Sequence, residues 1–202
     1  MHPEILNENQ TQLLTFVKEF RREYYLVGGT AIALYLGHRR SIDFNLFKKA
    51  PIQHKRILEK LAKYKHTYSI TRNVSDQLNL IISGVNFTFF EYPFEINHDQ
   101  HFESYINLPD LKTLAAMKAY ALGRRAKWKD YVDLYFILKE HFTINEVCEE
   151  ATEVFGQLFS EKLFRAQLSY FDDVDYSEKV DYLKPFDEGL VKPFLTGISL
   201  DF

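Results

Sequence analysis

Cysteine is nearly missing from this chain. Its 202 residues hold one, Cys148, so no internal disulfide can form, and a reducing cytoplasm suits it. No apolar run approaches the roughly 18 residues of a membrane span, so no membrane helix is expected. The opening MHPEILNENQ lacks the apolar core of a secretory signal. Internal repeats and low-complexity tracts are also missing, which excludes a solenoid or a disordered array. These absences predict a cytoplasmic protein with no membrane partner.

Apolar residues make up 46% and aromatics 16% of the chain, ample for a core. The length suits one domain, or one with a helical extension. The net charge of −3 is unevenly spread. Residues 36–60 hold seven Lys or Arg against two acids, and residues 146–202 hold thirteen acids against five Lys or Arg. A basic front half points either to a polyanion-facing site or to solvated surface.

Tyr24 to Phe47 organises the rest: YYLVGGTAIALYLGHRRSIDFNLF. An apolar strand (Tyr25 to Val27) enters a Gly28-Gly29-Thr30 turn. A short helix follows to Leu36, then a basic corner (His38, Arg39, Arg40), then a strand from Ser41 to Phe47. Glycines let backbone approach a ligand closely, and free N–H groups at a helix start favour an anion. Alternation puts Ser41, Asp43 and Asn45 on one strand face, with Ile42, Phe44 and Leu46 in the core. The glycine spacing matches neither a dinucleotide fingerprint nor a P-loop.

Before this unit, residues 4–23 read as an amphipathic helix, and after it Pro51 opens a helix to about Lys65. Residues 68–90 read as strands with a hairpin turn at Ser83-Gly84. Residues 97–109 read as loop or short strand. Beyond Asp110 the pattern is helical: 111 to about 124, 129–141, 143–157, 160–170 and about 187–195. A core over 1–108 and a helical half over 109–202 follow.

The turn-helix-strand spacing resembles the nucleotidyltransferase superfamily signature. More narrowly, GGTA and GHRRSID over residues 28–43, with KDYVDLY further on, resemble the AbiEii/AbiGii toxin family. The resemblance implies an α/β (α+β) fold, a nucleotidyltransferase-like mixed sheet of four or five strands with a helical C-terminal half. It implies an NTP substrate, magnesium as cofactor, an acceptor that for some relatives is transfer RNA, and a cognate antitoxin of a type IV toxin–antitoxin or phage-defence pair. Gly28, Gly29 and Thr30 would hold the triphosphate, with Arg40, Ser41 and Asn45 lining the same pocket. Asp43 would hold the metal. The block 111–138 supplies Lys118 and Arg125 to neutralise phosphate and Asp130 to orient or activate the acceptor.

Two positions depart from the pattern. Asn45 is neutral where a second acid is expected, and Thr88 stands where a third would lie. Glu91, three residues on, belongs to the opposite strand face. A carboxylate about 4 Å from a divalent cation contributes roughly 8 kcal/mol gross at an effective dielectric of about 20. Magnesium can still bind one carboxylate plus substrate phosphates. The alternative is a catalytically degenerate protein that keeps the fold and the nucleotide pocket. A third reading is an RNA-binding domain without nucleotide.

Several residues have a structural reading beside the functional one. Lys118 on an apolar helix needs a partner: a triphosphate, or a buried bridge to Asp130 or Asp133. Asp172, Asp173 and Asp175 read as a solvated helix end or a metal site. His98 and His101 lack a supporting second pair. Cys148 reads as core.

Overall fold

Asn7 starts the first long helix. In the computed structural model, which describes residues 1–200, its side chain accepts from the Gln10 backbone N–H, and Gln10 returns the bond. That reciprocal cap sets α1 at Glu8–Lys18. The expected helix over 4–23 is therefore shorter: Pro3–Ile5 is a separate 3-10 turn, and turns follow Lys18.

The chain divides into two units, Met1–Asp110 and Leu111–Phe202. In the first, β1 (Tyr25–Val27) runs into α2 (Gly28–Leu36), then β2 (Asp43–Lys48) and α3 (His54–Lys63). β3 (Tyr68–Val74), β4 (Gln77–Ile82), β5 (Val85–Glu91), β6 (Gln100–Phe102) and β7 (Ile106–Leu108) complete it. They form one seven-stranded mixed sheet in the order β3-β4-β5-β2-β1-β7-β6. The expectation of four or five strands fell short because β6 and β7 are three residues each, too short for alternation to show. Ser83 and Gly84 both take positive φ, the geometry of a two-residue hairpin turn between β4 and β5. β3 is one edge of the sheet, exposed along all seven residues, with Tyr68, Ile70 and Val74 among them.

Alternation divides the sheet into two faces. On one, Phe44 and Leu46 of β2 and Phe87 and Phe89 of β5 are buried. Phe16 of α1 meets the Phe87 ring at 5.7 Å, and Phe20 meets Phe89 at 4.8 Å. Such pairs add to the burial term. The other face carries Asp43, Asn45 and Phe47 of β2 beside Asn86, Thr88 and Phe90 of β5.

The basic front half is largely spoken for within this unit. Lys48 and Arg56 both approach Glu23, at 3.8 and 2.9 Å. Lys49 pairs with Glu95 and Lys55 with Glu59. Burial draws the Lys48 ammonium below its ordinary range.

In the second unit α4 (Leu111–Leu122), α5 (Trp128–Glu140), α6 (Ile144–Phe155), α7 (Glu161–Leu168) and α8 (Val191–Ser199) pack together. α6 has its own capping box, Thr143 with Glu146. Cys148 on α6 is buried, and burial pushes its thiol up to about 12, so it is a core residue. Among the described residues no helix is long and apolar enough to cross a membrane.

Residues 171–190 are tied to the start of α5. Asp175 exchanges backbone bonds with Ala126 and Trp128, and Glu178 takes Lys127 and Lys129 at 2.6 and 2.8 Å. These hydrogen bonds hold the Glu178 carboxyl at about 2. Its stabilisation is therefore complete above the ordinary carboxyl value and disappears as pH falls from there toward 2. The glutamate is 44% exposed, so water screens the pairs and the effect stays below about 1 kcal/mol. Urea unfolding across pH 2–6 should show a shallower acid slope for Glu178→Gln than for the parent.

Candidate functional site

The glycine turn is built by its neighbours. Gly28 has φ +75, a left-handed value, and a Cβ there would lie 2.8 Å from Asn45 Nδ2. A Cβ on Gly29 would lie 2.6 Å from the Arg39 guanidinium and 3.1 Å from Ser41 Oγ. The space two side chains would occupy is thus filled by two nitrogen donors and a hydroxyl. The first turn of α2 follows Val27 with no side-chain cap, so its leading N–H groups lack a side-chain acceptor. Gly28 and Gly29 are half-buried.

Arg39 was not singled out from the sequence; Arg40 was. The structure places Arg39, 2% exposed, beside Gly29, with one N–H donated to the Arg40 carbonyl. The Arg40 side chain instead reaches the Glu4 carbonyl at 3.3 Å. Adjacent arginines point to opposite sides in extended chain, and the sequence alone could not say which faces inward.

Thr30 and Ser41 are also placed differently from the expectation. Thr30 is fully buried. Its hydroxyl binds Ser41 Oγ at 3.0 Å, and also the Ser41 and Asp43 carbonyls. Gln10, equally buried, donates to the Ser41 carbonyl at 2.8 Å. These bonds hold Ser41 inward at 8% exposure and leave Ile42 45% exposed. This reverses the expected alternation at 41 and 42, because pairing begins only at Asp43.

From there the pattern holds. Asp43 lies opposite Asn86, and Asn45 opposite Thr88. Asn86 donates to Asp43 Oδ1 at 2.8 Å. Asn86 was missed, although the alternation Val85-Asn86-Phe87-Thr88 carried the signal. The β2–β5 register runs unbroken to Lys48 opposite Glu91. Glu91 therefore stays on the Lys48 face, and no bulge brings it to Asp43. Asp43 is the one carboxylate on the polar face of β2, β5 and β4. A divalent cation here would find one charged protein ligand, Asp43, among neutral groups, and would need phosphate oxygens from a substrate to complete its shell.

The second unit holds a buried ion cluster. Lys118 Nζ sits 2.6 Å from Asp130 Oδ1 and 3.0 Å from Asp133 Oδ2. All three side chains are at most 4% exposed. Arg125 Nε approaches the other Asp130 oxygen at 3.3 Å, so two cations face two carboxylates. Arg125 reaches it from a turn: α4 ends at Leu122, and the Arg125 N–H bonds the Ala121 carbonyl. Lys118 lies on α4 and Arg125 beyond its end, so the two cations reach Asp130 from different elements.

The remaining candidates are structural. Asp173 accepts from Gln167, and Asp175 caps Ser177. His98 bonds the Ile96 carbonyl and stacks on Tyr25, and His101 bonds Asn107. Among the described residues no group of three His, Cys, Asp or Glu is arranged to hold a metal.

Residues 85–190 match the family model described as nucleotidyl transferase AbiEii toxin, type IV TA system. The chain belongs to the AbiEii nucleotidyltransferase toxin family. The matched stretch contains Lys118, Arg125, Asp130 and Asp133, while Gly28 to Asn45 lie outside it. An uncharacterised Aquifex aeolicus protein is 32% identical over 126 residues, a stretch that is 59% of this chain and 59% of that relative. Among solved structures, MenT4, a nucleotidyltransferase toxin of Mycobacterium tuberculosis, superposes with a TM-score of 0.63 at 13% identity. That alignment spans 95% of this chain and 80% of MenT4. JHP933 of Helicobacter pylori gives 0.57 at 12% identity, over 96% and 91%. These structural likenesses establish the nucleotidyltransferase-like fold.

Three stability outcomes follow. Thr30→Val should cost about 1–3 kcal/mol by leaving buried oxygens unpaired, read by urea unfolding. Lys118→Met should cost about 3–5 kcal/mol, because two buried carboxylates lose the ammonium they share. Arg125→Ala, at 56% exposure, should cost less than about 1 kcal/mol.

Proposed function

We propose that this protein binds an NTP with magnesium and transfers its nucleotidyl group to an RNA acceptor, acting in the cytoplasm as the toxin of a type IV toxin–antitoxin or phage-defence pair. The observation that carries this reading is the uncapped start of α2, flanked by the Asn45 amide and the Arg39 guanidinium, with Asp43 held on the adjoining strand. Family membership supports it.

In this reading the N–H groups of Gly28, Gly29 and Thr30 donate to the triphosphate oxygens. Arg39 and Asn45 add donors. Arg40 and Ser41 act indirectly, through the corner that holds Arg39 and the strand start. Asp43 would hold magnesium, which supplies charge neutralisation to the phosphates when bound. The acceptor hydroxyl oxygen bonds the α-phosphorus, the bond to the β-phosphate oxygen breaks, and pyrophosphate leaves. The hydroxyl proton passes to solvent water. In the helical unit Lys118 and Arg125 fix the Asp130 carboxylate. A buried ion cluster is a weak stabiliser compared with apolar packing, so a chemical role is the better account of three ions in a helical core.

A second reading has its own observation: Asn45, Asn86 and Thr88 surround Asp43 with neutral groups. A protein that binds nucleotide without turnover fits that feature. Calorimetry with each NTP, with and without magnesium, separates the two. Metal-enhanced binding that vanishes in Asp43→Ala, with labelled nucleotide appearing on RNA, is the expected result. Metal-independent binding without transfer would establish the second reading. Asn45→Asp should raise the metal-linked affinity if that position faces the metal.

A further inference from the structure

The polar sheet face extends beyond Asp43 and Gly28. Register places Asn45, Thr88 and Asn79 side by side across β2, β5 and β4. The next row along the strands is Phe47, Phe90 and Gln77. All six side chains are half-buried. Neither the Asn45 amide nor the Thr88 hydroxyl makes a hydrogen bond to any described residue. Gln77 Nε2 donates to Asn79 Oδ1 at 2.9 Å, which fixes the Asn79 amide and leaves its N–H groups unspent. The Phe47 and Phe90 rings stand 5.2 Å apart at 60°.

The chemistry of these two rows is distinctive. They carry no cation for a phosphate and no carboxylate for a metal. They carry neutral donors and acceptors in a line, flanked by aromatic rings. That combination suits a nucleobase, which presents neutral hydrogen-bonding edges and an apolar face. Adjacent strands lie about 4.8 Å apart, so Asn45 to Asn79 spans about 10 Å, room for a base and its ribose. Asn45 also abuts the turn, with Nδ2 2.8 Å from where a Gly28 Cβ would stand. The row therefore begins where the phosphates would end.

We infer that the Asn45–Thr88–Asn79 row, with Gln77 and the rings of Phe47 and Phe90, is the base-reading subsite for the incoming nucleotide. The inference rests on the nucleotide-binding reading above and adds that Asn45 and Thr88 replace acids in order to read the base. Neutral groups at these positions exchange metal affinity for base selectivity.

Calorimetry in magnesium with the four NTPs and inorganic tripolyphosphate tests it. The intact protein should bind at least one NTP about five- to tenfold more tightly than tripolyphosphate, the effect of one or two hydrogen bonds, and should rank the four bases. Thr88→Val and Asn79→Ala should each bring that NTP toward the tripolyphosphate affinity, with tripolyphosphate binding and melting temperature unchanged. Thr88→Ser should restore the preference. Equal affinity for tripolyphosphate and all NTPs, or a base ranking that survives both substitutions, would overturn the subsite and leave the phosphate cradle standing. Failure of the intact protein to bind any NTP or tripolyphosphate would overturn both.

Discussion

One buried hydroxyl sets the geometry of the first unit. Thr30 ties the first turn of α2 to the residues that lead into β2, and Gln10 of α1 secures the same carbonyl from the other side. A helix start and a strand start are thereby fixed to each other. Everything on the polar face inherits its position from that tie. Asp43 begins the strand, Asn45 lies against Gly28, and the β5 and β4 side chains follow by register. Burial makes the bonds matter, since an oxygen stranded there has no water to turn to.

Much of this was legible in the sequence, for a physical reason. The strand–glycine–helix–strand order is local, and local chemistry announces it: paired glycines, an apolar helix, alternation on β2. The Lys118 pairing was legible as one of two alternatives, because an ammonium on an apolar helix demands a counter-charge. What stayed hidden depends on neighbours distant in sequence. Gln10 lies 31 residues from Ser41, and no pattern announces that it anchors the strand start. Arg39 and Arg40 are equivalent on paper, and only tertiary packing selects Arg39. The bond from Asn86 to Asp43 depends on the β2–β5 register, 43 residues apart in sequence, which no local pattern announces. The three-residue strands β6 and β7 carry too little periodicity to be seen.

The two units meet their charges in opposite ways. On the polar sheet face one carboxylate stands among amides, and little there is neutralised. In the helical unit Lys118, Asp130, Asp133 and Arg125 neutralise one another. The first arrangement waits for positive charge and hydrogen-bonding partners from outside. The second is already complete within itself.

Dryness gives that ion cluster a property the surface pairs lack. Mobile ions shorten electrostatic reach to about 8 Å at physiological ionic strength, but only where solvent can enter. Lys49 and Glu95, 60% and 80% exposed, belong to that screened world, and their attraction fades in brine. Lys118 and its two aspartates do not. Their mutual attraction is screened far less, so it changes little between a dilute medium and one crowded with salt.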